Sequence, residues 1–190
     1  MKITESRLPG AYVIEIEPVT DERGFFSRLV CQREFQSHGM NSNFVQANIS
    51  YNIARGTLRG MHFQKPPFEE EKLVRCTRGA IYDVIVDLRA DSPTYLRWFA
   101  IELTGENHKM LYIPKGMAHG FQTLADNTEV SYQHTAFYVP ESGSGVRWDD
   151  PVLGIEWPAV EKRVISAADQ AWSYLVRDGA GLKQECESIP

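Results

Sequence analysis

The chain has 190 residues, 43% of them hydrophobic and 24% charged, which suits one soluble domain with a substantial buried core. A formal net charge of -5 excludes a general electrostatic grip on nucleic acid, which needs excess Lys and Arg. No apolar run reaches the ~18 residues that cross a bilayer, and MKITESRLPG at the start lacks the apolar core of a signal peptide. The expectation is a cytoplasmic protein with neither a nucleic-acid nor a membrane partner.

From about residue 10 to 140, short β-rich segments alternate with turn signals: AYVIEIEPV, NFVQANIS, KLVRC, AIYDVIVDL, RWFAIEL and KMLYIP. This spacing predicts a sandwich or barrel. The clearest strand runs from Ile81 to Leu88, with Tyr82, Val84, Val86 and Leu88 on one face and Ile81, Asp83, Ile85 and Asp87 on the other. Two acids sharing a face with two isoleucines fit either a pocket wall or the solvent face of an edge strand. Cys31, Cys76 and Cys186 are odd in number and far apart, so they are read as reduced, with Cys76 a buried strand residue. Helix signals are sparse until Ser166-Ala167-Ala168-Asp169, an S-x-x-D capping pattern that opens a short C-terminal helix. The domain is taken as residues 1–176, and the polar stretch 177–190, RDGAGLKQECESIP, with two glycines and no apolar period, is expected to be mobile.

Two stretches carry a known frame. Gly56, five intervening residues and His62, followed by Lys72, six residues and Gly79, resemble the first motif of the cupin family. Pro114, Gly116 and His119 resemble its second motif, P-x-G-x-x-H. The resemblance implies a mainly β fold, a cupin jelly-roll barrel with short C-terminal helices. The ligand positions of metal-binding cupins are occupied here by His62, Gln64, Lys72 and His119. An ammonium in place of a carboxylate puts positive charge where a cation would sit, and an amide is a poor transition-metal ligand, so no metal and no cofactor are expected. The same ammonium suits an anion: beside a developing enolate in a water-poor cavity, Lys72 supplies preorganised electrostatic stabilisation. The alternative is that Lys72 follows Glu69, Glu70 and Glu71 as a solvated charge.

Longer strings narrow the match: DERGFF at 21–26, FVQANIS at 44–50, RGTLRGMHFQ at 55–64, EKLVRCTRGAIYDVIVDLR at 71–89, YIPKGMAHGFQTL at 112–124 and GVRWDDPVLGIEWP at 145–158. Together, in this order and spacing, they resemble the dTDP-4-dehydrorhamnose 3,5-epimerase family from about residue 3 to 175. The resemblance implies epimerisation of a nucleotide-diphosphate 4-keto-6-deoxyhexose through an enolate, with no redox cofactor. The family's base matches His62, its paired carboxylate Asp169, and the acid on the opposite sugar face Tyr132; an imidazole, with an ordinary pKa near ~6.5, accepts a proton at neutral pH. The family's substrate-binding set matches Arg23, Gln46, Asn48 and Arg59, whose guanidinium forks suit phosphate. His119 is expected to hydrogen-bond the substrate, and Tyr138 matches an aromatic that stacks near it.

Two departures stand out. Where the family carries an acid that helps read the nucleotide base, this chain has Arg28 in FFSRLV, which puts thymine selectivity in doubt. Where lysine often follows the catalytic tyrosine, this chain has Gln133. The resemblance also implies a homodimer, and the segment AYVIEIEPV offers an edge for pairing with a twin. Alternatives are a single-site 3- or 5-epimerase using the same residues, a metal-dependent cupin isomerase, and a noncatalytic sugar-binding cupin, for which an acid and a base on opposite faces have no use.

Overall fold

The computed structural model describes residues 1–178 and 181–184. Two sheets pack face to face as a jelly-roll barrel. The first sheet runs β1 (Lys2–Glu5), β2 (Tyr12–Glu15), β10 (Met110–Ile113), β7 (Lys72–Arg78), β12 (Thr128–His134) and β5 (Gln46–Asn52). The second runs β13 (Gly143–Gly145), β6 (Thr57–Gln64), β11 (Met117–Thr123), β8 (Ala80–Asp87) and β9 (Trp98–Thr104), with β14 (Val164–Ile165) lying parallel to the start of β6. A hairpin of β3 (Val19–Asp21) and β4 (Gly24–Phe26) stands apart, as does one of β15 (Leu175–Asp178) and β16 (Gly181–Gln184). The second hairpin occupies part of the stretch expected to be mobile; its residues 179, 180 and 185–190 lie outside the described residues.

Strand alternation divides the side chains into three apolar layers. Val74, Cys76, Ile81, Ile85, Leu111, Phe121 and Val130 fill the space between the sheets. Outside the first sheet, Ile14, Leu73, Met110 and Tyr112 pack beneath helix α1 (Gln32–Ser37) and its buried Phe35. Outside the second, Val84, Val86 and Ala118 pack against Val146, Leu153 and the ring of Trp157. Both faces of β8 are therefore buried, and Asp83 and Asp87 look inward with Ile81 and Ile85 rather than toward solvent. The edge-strand alternative for this segment is not realised, because β11 and β9 pair with it on either side.

Three details depart from expectation or refine it. Helix α1 carries no side-chain cap at Cys31 and rests on one buried residue, Phe35, which is why six residues gave no period to detect. Segment 12–15 is not an edge: β1 and β10 flank it, and the outer strands of its sheet are β1 and β5. At the C-terminal end, the expected cap is present, with Ser166 Oγ accepting from the Asp169 N–H at 3.0 Å and α2 spanning only Ala167–Gln170.

Buried Cys76 behaves as an inert core thiol, its pKa pushed up to about 11 chiefly by burial. Asp87, fully buried at the end of β8, accepts hydrogen bonds from Arg89, Ser92 and Thr94, at 2.8, 2.5 and 2.6 Å, and so pins the loop that leads to β9. Burial alone would raise its pKa; those donors outweigh it and lower it to about 2. Because the folded pKa lies below the unfolded one of ~3.9, this contribution is present above pH ~4 and is lost as pH falls through about 2. Asp87→Asn should cost about 2–3 kcal/mol at pH 7, and the gap from wild type should narrow below pH ~4 in urea melts; a gap that does not change with pH would contradict this.

Candidate active site

One mouth of the barrel is polar where the rest of the interior is apolar. A cavity of about 430 Å³ opens there, lined by His62, Lys72, Asp169 and Asn48 among others. A second lobe of about 270 Å³ shares Asn48, His62, Lys72 and His134 with it and adds Arg59, His119 and Tyr132. Period-two alternation brings these groups together: Tyr132 and His134 on β12, Lys72 on β7, His119 on β11 and His62 on β6 all face inward. His62 and Tyr132 project from opposite sheets.

The backbones of β6 and β11 come unusually close beside the two histidines. A Cβ on Gly60 would stand 2.5 Å from the Cα of Gly120, and one on Gly120 would meet the carbonyl of Arg59 at 2.7 Å, so neither position admits a side chain. On the other flank, Gly145 is paired with His62 in the β13–β6 register, and a Cβ there would collide with the indole of Trp172, which closes the cavity wall next to Asp169.

His62 and Asp169 are 107 residues apart in sequence and 2.6 Å apart between Nε2 and Oδ1. Burial would raise the Asp169 pKa, but the hydrogen bond and charge of His62, with the N–H of Gly60 and the Ser166 side chain, hold it below the ordinary carboxylate value. A carboxylate can only accept, so Nε2 carries the proton and Nδ1 presents the lone pair. Asp169 therefore does more than belong to a capping pattern: its N–H is the capped donor while its carboxylate orients the imidazole.

Lys72 is not a solvated charge. Its side chain is only 10% exposed, pairs with the 6% exposed Glu70 at 3.1 Å, and reaches the carbonyl of His62 at 3.4 Å. Glu70 sits inside the acidic run Glu69-Glu70-Glu71, and nothing in that run marks which acid turns inward. Gln64, at a ligand position of metal cupins, bonds instead to Glu70, to the carbonyl of Phe68 and to the N–H of Val139, bracing the two loops at the mouth. His119, 5% exposed, bonds through Nε2 to Asp83 Oδ1 at 2.7 Å. A divalent metal does not fit this set: one ammonium stands at a ligand position, and the Nε2 atoms of both histidines are held by carboxylates. Among the described residues, no group of three or more His, Cys, Asp or Glu is placed to hold a metal ion.

Tyr132 is pushed well above the ordinary phenol pKa, first by burial and then by the charge of Asp83, so it stays protonated at neutral pH. Gln46 and Asn48 line the larger cavity, Arg59 lines the smaller lobe with its Nε donating to Asn52 Oδ1 at 2.8 Å, and Tyr138 stands at the rim, 62% exposed. Arg23 is not brought to this cavity. It lies between β3 and β4, its side chain 83% exposed and paired with Asp21. Arg28 is likewise outside it, 3.4 Å from Glu34. Polar and aromatic groups at the site that were not singled out from sequence include Glu70, His134 and Trp172, which line the cavity, and Asp83, which stands behind it as the partner of His119. Of these, His134 had a usable signal, since a residue two beyond Tyr132 on a strand shares its face.

Comparison with known proteins identifies the family. A family model described as dTDP-4-dehydrorhamnose 3,5-epimerase matches residues 5–177. The chain is 45% identical over 176 residues to the dTDP-4-dehydrorhamnose 3,5-epimerase of Methanothermobacter thermautotrophicus, covering 92% of this chain and 94% of that one. Among solved structures, the Bacillus anthracis dTDP-4-dehydrorhamnose 3,5-epimerase with TDP and PPi bound superposes with a TM-score of 0.87 at 42% identity, covering 92% of this chain and 99% of that chain. A 3'-monoepimerase from Streptomyces bikiniensis, in complex with dTDP-quinovose, gives 0.81 at 31% identity, covering 87% and 83%. No helix among the described residues is long and apolar enough to cross a membrane. With its barrel, its orienting carboxylate and a match over nearly its whole length, the chain belongs to the dTDP-4-dehydrorhamnose 3,5-epimerase family.

Proposed function

We propose that the protein inverts C3 and/or C5 of a nucleotide-diphosphate 4-keto-6-deoxyhexose, with dTDP-4-dehydro-6-deoxyglucose the first substrate to test. The observation that carries this reading is the pair His62 and Tyr132, an oriented base and a protonated acid, on opposite sheets of one cavity. A 4-keto group acidifies the hydrogens on its neighbouring carbons. His62 Nδ1 takes one of them, Asp169 stabilises the imidazolium, and the electrons move onto the carbonyl oxygen as an enolate. Lys72, with two of its donors directed at Glu70 and His62, has a third for that oxygen, and His119 lies in the same lobe. Protonation by Tyr132 from the other face then inverts the centre.

The division of labour is testable in deuterated water by proton NMR of C3 and C5. His62→Ala should lower both solvent exchange and epimerisation by about 10²–10⁴. Tyr132→Phe should leave exchange measurable and remove most inversion, because the base and Lys72 remain. Nucleoside diphosphate binding serves as the folding control, and normal inversion by either variant would refute the roles.

The site is further proposed to work without metal, the Lys72 ammonium, held in place by Glu70, supplying the local positive charge that a metal would bring. Dialysis against a chelator should leave activity unchanged, and stoichiometric metal lost together with activity would count against this.

We also propose a homodimer in the cytoplasm. The outer strand β5 leaves Ile49 65% and Tyr51 48% exposed, and the β3–β4 hairpin leaves Val19 and Phe26 exposed at 73% and 78%. A second copy covering these would account for Arg23, matched to phosphate binding yet remote from the cavity of its own chain. Reduced Cys31 and Cys76 suit the cytoplasm. Light scattering at micromolar concentration should return twice the 21.6 kDa chain mass; the single-chain mass would rule out the dimer.

A further inference from the structure

His134 is the one imidazole lining both lobes that neither the family match nor the mechanism above employs. It ends β12, opposite Lys72 on β7 and Gln46 on β5, with its ring stacked on Tyr132 at 6.1 Å and 25°. Its protonation can be worked out from a chain of hydrogen bonds that starts at a group with no ambiguity. The backbone N–H of Tyr138 can only donate, and it stands 3.1 Å from the Gln46 side chain, so the amide oxygen Oε1 is the atom that faces it. Gln46 Nε2 is thereby turned toward Asn48 and donates to its Oδ1 at 3.3 Å. That in turn directs Asn48 Nδ2, a pure donor, at His134 Nε2, 3.4 Å away. Two donors cannot face each other, so Nε2 offers its lone pair and the ring proton sits on Nδ1. No protein group among the described residues hydrogen-bonds to Nδ1.

We propose that His134 is a specificity-determining residue of this epimerase: a neutral imidazole whose Nδ1–H donates to an oxygen of the substrate's sugar, while its ring fixes the plane of Tyr132. The assignment rests on the epimerase reading. A sugar oxygen is the acceptor it fits, because the groups surrounding the ring are His62, Lys72 and Tyr132, which handle the sugar. The charged and titratable groups facing His134 are Lys72 on β7, Glu70 just before it, His62 on β6, His119 on β11 and Tyr132 on its own strand. Burial first, then the Lys72 ammonium and His119, against the opposing pull of Glu70, lower its pKa to about 4, which agrees with the neutral state that the amide chain requires. Protonation would set an N–H against the Asn48 donor and break the chain that reaches from Tyr138 at the rim to the acid.

The free protein tests the tautomer without any substrate. With ¹⁵N-labelled histidine, long-range proton–nitrogen correlation should show Nδ1 protonated and Nε2 bare from pH 8 to 5.5. A proton on Nε2, or a titration midpoint near pH 6.5, would overturn the proposal. Asn48→Asp replaces the donor with an acceptor and should move the proton to Nε2; a proton remaining on Nδ1 would break the proposed link. Kinetics then test the contact. His134→Phe keeps a flat ring on Tyr132 but has no donor: its KM for the nucleotide 4-keto sugar should rise about five- to tenfold, with kcat and thymidine diphosphate affinity within about twofold. His134→Gln returns a donor without the ring, and should recover KM while lowering kcat. An unchanged KM in His134→Phe, or an equal loss of thymidine diphosphate binding, would overturn the sugar contact. Because the ring-nitrogen spectrum needs no turnover, failure of this proposal is separable from failure of the epimerase reading.

Discussion

The mouth of this barrel depends on one constraint: a charge taken out of water must be met by another. Three acids turn inward among apolar side chains, and each meets a nitrogen: Glu70 with Lys72, Asp169 with His62, Asp83 with His119. The pairing settles the place of each member, and for Asp169 it also holds the carboxylate charged. A carboxylate held charged fixes the proton of the imidazole it touches, so Asp169 draws the Nε2 proton of His62 and leaves Nδ1 for the proposed role of base. Asp83 acts in two directions. It holds His119 through Oδ1, and its charge adds to the burial that keeps Tyr132 protonated, while Oδ2 has no hydrogen-bond partner in the structure's described residues. The proposed base and acid are thus prepared by the same accounting of buried charge, on opposite sheets.

The pairing also ties distant parts of the chain to the barrel. Asp169 is carried by a helix of four residues, too short to hold its shape alone, and its contacts with His62 and the Gly60 N–H anchor that helix against β6. The strand that receives it is crowded from both sides, by Gly120 on one flank and by Gly145 and Trp172 on the other. Close backbone approach there leaves His62 little freedom to turn away from its partner, a requirement for a base that must meet a particular carbon.

How much of this was legible in the sequence follows from the range of the interactions. Strands announced themselves because alternation is local, and the same alternation put Asp83 and Asp87 on one face with Ile81 and Ile85; whether that face looked inward was settled only by the pairing of β11 and β9 on either side. Gln64 and Lys72 were informative because they depart from a motif whose chemistry is known. Glu70 was not legible: in a run of three acids, the one that turns inward is chosen by how the loop between β6 and β7 folds Glu70 onto Lys72 and Gln64, which composition does not encode. Helix α1 was invisible for a similar reason, since a single buried Phe35 against Tyr112 and Phe44 gives no period. The pairing of Asp169 with His62 came from resemblance alone, as nothing local to either residue encodes a contact across 107 positions.

The 3,5-epimerases and the 3'-monoepimerase among the similar structures share one fold with this chain, so inversion at one centre or at two is not a property of the barrel. Removing a proton from C3 or from C5 demands the same base and the same acid; what differs is which carbon faces them. That choice belongs to the groups that seat the sugar, and the residues proposed for that task here form a connected path. Tyr138 at the rim is joined through its own backbone N–H to Gln46, then to Asn48, then to the ring that stacks on Tyr132. A shift of the rim segment around Tyr138 would therefore be felt at Tyr132 without any change in His62, Asp169 or Lys72. Regiochemistry in such a site can diverge through the seat while the proton-handling pair, locked by buried charge, stays as it is.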